Sequence, residues 1–189
     1  MRVASLFAVA AFSFASAAAV VGYIGFMGGF VGGFIDEDTP PPVLQPTTLM
    51  GQMLVAAPDM SDPTFAGTRI YLVHHDNDGA VGVVVNGPVF GEAYGVPYGW
   101  GGPVGRNSVI VVHDGLPRGD VGGGVVVEDG VVVAGHDPDL MKALIHKRGP
   151  AHARTFVGYA GWGPGQLEHE LRAGAWSVVD VSSVELFSN

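Results

Sequence analysis

The sequence predicts an α+β fold in which strands come first and helices late. Three observations carry this. Apolar runs of four to eight residues, rich in Val, Ile and aromatics, recur between Gly, Pro and Asp clusters, as strands and turns do. Helical periodicity is confined to two late segments, 137–149 and 164–174, which fits α+β better than a doubly wound sheet. The 30 glycines and 13 prolines show no repeat, which leaves a turn-rich globular domain rather than a solenoid or collagen. With 189 residues, 48% of them hydrophobic, the chain can bury one core after its N-terminal segment is set aside.

From Val3 to Ile35 no residue is charged, and that run exceeds the roughly 20 apolar residues that cross a bilayer. One reading is a cleaved signal peptide, with Arg2 ahead of an apolar stretch to Phe14 and small residues Ala15 to Ala19 at the cleavage site. The chain stays apolar beyond that site, so an uncleaved membrane helix is the preferred expectation. Arg2 would lie on the cytoplasmic side and Asp36, Glu37 and Asp38 on the other, placing the domain on the non-cytoplasmic side. The alternative is secretion after cleavage. Gly25, Gly29 and Gly33 recur every fourth residue and offer a face for self-association in the membrane. Residues 36–49 combine acids with Pro40, Pro41, Pro42 and Pro46, a stiff extended spacer. The folded domain is expected over 50–189.

Within it, Gln52 to Ala57 reads as a buried strand. Arg69 to His75 and Ala80 to Val85 form a hairpin through Asp76 to Gly79. Asn86 to Gly102, full of Gly, Pro and aromatics, reads as a loop. Asn107 to His113 is a strand, and Gly122 to Val127 pairs with Val131 to Gly135 around Glu128, Asp129 and Gly130. Asp137 caps a helix with Pro138 in its first turn, buries Leu140, Met141, Leu144 and Ile145, and ends at Lys147, Arg148 and Gly149. Phe156 to Tyr159 forms a strand that turns at glycines into a helix opened by Pro164. That helix carries Leu167 and Leu171 on its buried face, points Gln166, Glu168, Glu170 and Arg172 elsewhere, and closes at Gly174. Trp176 to Val181 is the last strand.

Charge and composition exclude several functions. No cysteine is present, which removes disulfides, thiolate catalysis and cysteine-held metals. Arg2 is the only base before Arg69, so the chain from Asp36 onward has a formal charge of −10. That balance argues against nucleic acid as a partner, because binding to phosphates depends on Lys and Arg. The basic cluster Lys142, His146, Lys147, Arg148 and Arg154 reads as a solvated helix end. His74, His75, Asp76 and Asp78 contain ligand types, but neighbours on a strand point to opposite faces, so no metal site and no cofactor is expected.

The candidate ligand-binding residues are Gly161, Trp162, Gly163 and Gln166 at the strand-to-helix corner. There, free N–H groups and a helix start can hold an anion; the competing reading is a close-packed turn plugged by Trp162. Asn86, Gly101, Gly102 and His113 are expected either to share a cleft with that corner or to serve as turn residues. His113 beside Asp114 has the form of a base for Ser61 or Ser108, but no serine lies in a nucleophile elbow, and no catalytic residue is assigned.

Three blocks in order, Leu54 to Pro88, Gly101 to Val104 (GGPV) and Gly158 to Leu171 (GYAGWGPGQLEHEL), resemble the YqgE/AlgH family of bacterial proteins, over roughly Gly51 to Phe187. The resemblance implies one α+β domain with a barrel-like, strongly curved mixed sheet flanked by helices. Some members carry the label of transcriptional regulator, and no reaction is established for the family. This chain departs from the pattern at Gly87, where the family usually has arginine. It also shortens Phe90 to Gly99, ends at Asn189 before the usual extension, and carries the expected membrane segment ahead of Leu49, near where most relatives begin. The expectation is a non-enzymatic, membrane-tethered binding or regulatory domain. The alternatives are an enzyme acting on a small anionic substrate at the glycine corner, or a DNA-binding regulator.

Overall fold

Ten strands form one open sheet, described here from a computed structural model of residues 48–93, 96–115, 124–127, 130–135 and 137–188. The expected membrane segment with Gly25, Gly29 and Gly33, the spacer up to residue 47, and the turn residues Glu128 and Asp129 lie outside the described residues. Among the described residues, no helix is long and apolar enough to cross a membrane.

The strands are β1 (Met53–Ala56), β2 (Arg69–Asp76), β3 (Gly79–Val84), β4 (Val89–Ala93), β5 (Val96–Trp100), β6 (Val104–His113), β7 (Val125–Val126), β8 (Val132–Ala134), β9 (Ala153–Trp162) and β10 (Trp176–Val179). The helices are α1 (Pro138–Ile145), α2 (Gln166–Arg172) and α3 (Ser183–Phe187). The sheet runs β10-β1-β2-β3-β9-β6-β8-β7 and curls into an open half-barrel. Every pairing is antiparallel except that of β5 with β9, which makes the sheet mixed.

β9 organises the sheet. One of its edges carries β6 along most of its length. The other edge is shared: β5 pairs with Thr155, Phe156 and Val157, and β3 pairs with Ala160, Gly161 and Trp162. β3 and β5 therefore part along that edge and leave a fork. A further bend comes from β6, where Gly105 to Ser108 bulge out between the pairs Val104–Tyr159 and Val109–Val157.

Alternation along the strands makes two faces. Met53, Tyr71, Val73, Val81, Val83, Ile110, Val112, Phe156 and Tyr159 fill the inner face, which Leu186 of α3 joins. On the outer face, Leu54, Ile70, Leu72, Val84, Ala160 and Trp162 pack with Leu167 of α2. α1 lays Leu140 and Leu144 over Val111 and Ala134 farther along.

Several local expectations are corrected. Asn86 to Gly102 is not a loop throughout, because β4 and β5 form a hairpin within it. Pro164 does not open α2: Gly165, in the left-handed region at φ 70°, is the N-cap, and Gln166 is the first helical residue. Ile145 is 48% exposed instead of joining Leu140 and Leu144 in the core. α1 does start at the Asp137 cap, whose carboxylate accepts from the Asp139 and Leu140 N–H groups. α3 was not expected; it opens on a reciprocal cap between Ser182 and Glu185.

Candidate functional site

The β9–α2 corner gathers Gly161, Trp162, Gly163 and Gln166 around a residue that the helical pattern had turned outward. Glu170 is only 8% exposed. Its Oε2 accepts from the indole N–H of Trp162 at 2.9 Å and of Trp176 at 2.8 Å, and its Oε1 accepts from Gln166 Nε2 at 2.9 Å. Gln166 Oε1 in turn accepts the Gly163 N–H at 3.1 Å. The two indoles meet edge to face at 6.1 Å. Three N–H donors compensate the carboxylate for leaving water, so it ties β9, α2 and β10 together. The corner is filled by its own side chains, and one of the N–H groups expected to hold an anion is already bonded.

Asn86, Gly101, Gly102 and His113 stand elsewhere. Asn86 accepts from the Arg69 N–H at 2.8 Å and donates to the Gly67 carbonyl at 2.9 Å, closing the end of the β2–β3 pair. Gly101 and Gly102 cross against the middle of β9, where a Cβ on Gly102 would lie 2.1 Å from the Tyr159 carbonyl carbon. His113 lies opposite Ala153 at the start of β9, whereas Trp162 ends the strand. Nine residues of extended chain place them about 30 Å apart. The structure thus brings the four corner residues together and joins neither Asn86 nor His113 to them.

His113 is fully buried. Its Nδ1 accepts the Gly115 N–H at 3.0 Å, so the proton sits on Nε2, which has no partner among the described residues. Burial pushes its pKa below the ordinary 6.5, against the smaller upward pull of Asp114 and the Gly115 hydrogen bond. Asp114 hydrogen-bonds His152 instead, taking the ring N–H at 2.7 Å and the backbone N–H at 3.1 Å. A His113–Asp114 couple for a serine does not form.

His74 and His75 diverge as strand neighbours should. His74 faces Asp76 at 3.0 Å near the surface. His75 accepts the Leu49 N–H on Nδ1 at 2.9 Å and donates from Nε2 to Glu168 at 2.8 Å, bridging the start of the domain to α2. Among the described residues, no group of three or more His, Asp or Glu is placed to hold a metal ion.

One residue that the sequence assigned to a solvated patch proves to be partly buried. Lys142, His146, Lys147 and Arg148 are exposed, but Arg154 is half-buried on the inner face of β9. Its guanidinium lies over the Phe156 ring at 5.2 Å and donates to the Leu186 carbonyl at 3.1 Å and to the Val85 carbonyl. Among the described residues no carboxylate lies within ion-pair distance of it. Burial pushes its pKa below the ordinary guanidinium range, yet a guanidinium stays charged at neutral pH. Arg154 lines a small cleft of about 20 Å³ at the fork, with Val85, Gly87, Val89, Tyr98, Trp100 and Thr155 among the walls. The sequence signal was its spacing: Arg154 is two residues before Phe156 on one strand and must share its face.

Comparison with known proteins bears on the whole domain. The AlgH-like family model matches residues 53–189. A UPF0301 protein of Cupriavidus metallidurans is 33% identical over 159 residues, covering 76% of this chain and 82% of its own length. Another, from Streptomyces avermitilis, is 38% identical over 157 residues, covering 71% and 76%. The solution structure of the AlgH protein from Pseudomonas aeruginosa superposes with a TM-score of 0.63 at 31% identity, over 76% of this chain and 83% of that one. A crystal structure from Corynebacterium diphtheriae, 24% identical and covering 73% and 78%, shares the fold with a TM-score of 0.60. With residues 53–189 matched by the family model and most of its length shared with relatives of the same fold, this chain belongs to the AlgH-like family.

Proposed function

We propose that the chain is a non-enzymatic binding or regulatory domain, tethered to a membrane through residues 3–35. One observation supports this above others: among the described residues, the side chains with catalytic potential have structural partners or, like His113, are buried out of a substrate's reach. Glu170 is held by two indoles and Gln166, His75 by Leu49 and Glu168, and Asp114 by His152. A general acid or base must be within reach of its substrate and free to exchange a proton. Arg154 differs, because a guanidinium has five N–H donors and two are in use among the described residues. That pattern suits recognition of a ligand better than its conversion.

The test is thermal melting of the full chain against a library of small metabolites. A ligand at about 100 times its Kd adds roughly 2.7 kcal/mol and raises the melting temperature, with the ligand recovered unchanged. Chemical turnover of any hit would favour the enzyme reading. Tethering is tested by alkaline carbonate extraction, where the expected result is retention in the membrane pellet. Recovery of a soluble chain starting near Ala18 or Val20 would overturn it.

A further inference from the structure

We infer that the cleft at the β3–β5 fork is a carboxylate site, taking a monoanionic ligand with a flat apolar or aromatic body. This deepens the binding reading and rests on it. The cation is Arg154, set in a chain with 18 acids against nine bases. In so acidic a protein a half-buried guanidinium would be expected to find a carboxylate. Instead it bonds two backbone carbonyls, of Leu186 and Val85, and rests on Phe156. Those carbonyls fix its plane without neutralising its charge, and among the described residues three N–H groups remain for a ligand.

The walls define the rest of the ligand. Val85, Val89, Tyr98, Trp100 and Phe156 present apolar and aromatic surface around the cation. The mouth continues onto β4, where Val89 is 63% exposed and Phe90 55% exposed, with Phe90 against Tyr98 at a ring distance of 6.4 Å. The cleft is small, with room for little more than a water-sized group, so only the ligand's head enters and its body lies along the mouth. A single cation also matches one negative charge. A carboxylate would meet the guanidinium in parallel, edge to edge, while an attached ring or alkyl group would lie along Tyr98 and Val89.

The experiment titrates benzoate into the full chain in mild non-ionic detergent and follows the Trp100 indole N–H and the Arg154 side chain by NMR. Benzyl alcohol and inorganic phosphate serve as controls. Saturable shifts with a Kd on the order of 1 mM are expected for benzoate. Phosphate should bind at least about tenfold more weakly and benzyl alcohol should not saturate. Val89→Glu changes an exposed residue, so the fold should persist while a fixed carboxylate at the mouth abolishes benzoate binding; Arg154→Met should do the same. Equal shifts from benzyl alcohol, unchanged binding by folded Val89→Glu, tighter binding of phosphate, or no saturation by benzoate would each overturn the carboxylate site. Failure here with a hit elsewhere in the library would leave the binding domain standing, whereas failure here together with an empty library would remove both.

Discussion

A single glycine can be indispensable or interchangeable, and the backbone around it decides which. At Gly102, φ is 152° and a Cβ would collide with the Tyr159 and Ala160 backbone at 2.1 to 2.4 Å. Gly102→Ala should therefore cost more than about 3 kcal/mol in urea denaturation or prevent folding, since neither backbone can yield. Gly163 sits in the more conspicuous motif, yet its added Cβ would meet nothing nearer than Gln166 Oε1 at 3.9 Å, and its φ is ordinary. Gly163→Ala should leave stability unchanged or raise it by about 0.4–1 kcal/mol, by restricting the unfolded chain. A glycine-rich motif marks where backbones crowd, but cannot tell which of its glycines is crowded. Gly102 is crowded by Tyr159 of β9, 57 residues later in the chain.

Among the elements, those stabilised by local pattern were legible in the sequence. β1, β2 and β3 follow apolar runs, and α1 follows its Asp137 cap and Leu140–Leu144 spacing. The β4–β5 hairpin was hidden because Gly91, Pro97 and Gly99 weaken strand propensity, and pairing with Phe156 and Val157 on β9 restores it. α3 is only five residues long and depends on its cap and on Leu186 entering the core. Glu170 was assigned outward because charge is a reliable sign of exposure unless distant donors converge, and Trp162 and Trp176 lie on two different strands. This predicts a large effect at α2. Glu170→Leu leaves two buried indole N–H groups without an acceptor and should cost about 2–5 kcal/mol, with a changed near-ultraviolet tryptophan signal. A loss below about 0.5 kcal/mol would show that the indoles find other partners.

For the molecule as a whole, pH should act in two stages. The native His113 pKa is lowered, so below 6.5 the unfolded chain takes up a proton that the folded chain refuses. Its contribution is complete above 6.5 and declines as pH falls from there to the native value, by at most about 1.4 kcal/mol per pH unit. His113→Leu should flatten that limb of a urea-midpoint profile. A second limb belongs to carboxylates with lowered pKa values. Burial pushes Glu168 up, but the His75 hydrogen bond, its backbone and Arg172 outweigh it; Asp76 is lowered chiefly by the Asp78 N–H and Glu185 by Ser182. Their stabilisation is present above the ordinary 3.8 for Asp and 4.5 for Glu, and is lost as pH falls through the native values. The shared edge of β9 has a different consequence, for the order in which the protein can be made. β3 and β5 both wait for β9, and β1 waits for β10, so most of the sheet leaves the ribosome before the strand that joins it. A chain stopped at Pro150 should contain three sheet pieces, β1-β2-β3, β4-β5 and β6-β8-β7, that remain unjoined and bind chaperones, whereas release past Phe187 should bring native tryptophan fluorescence in one late step.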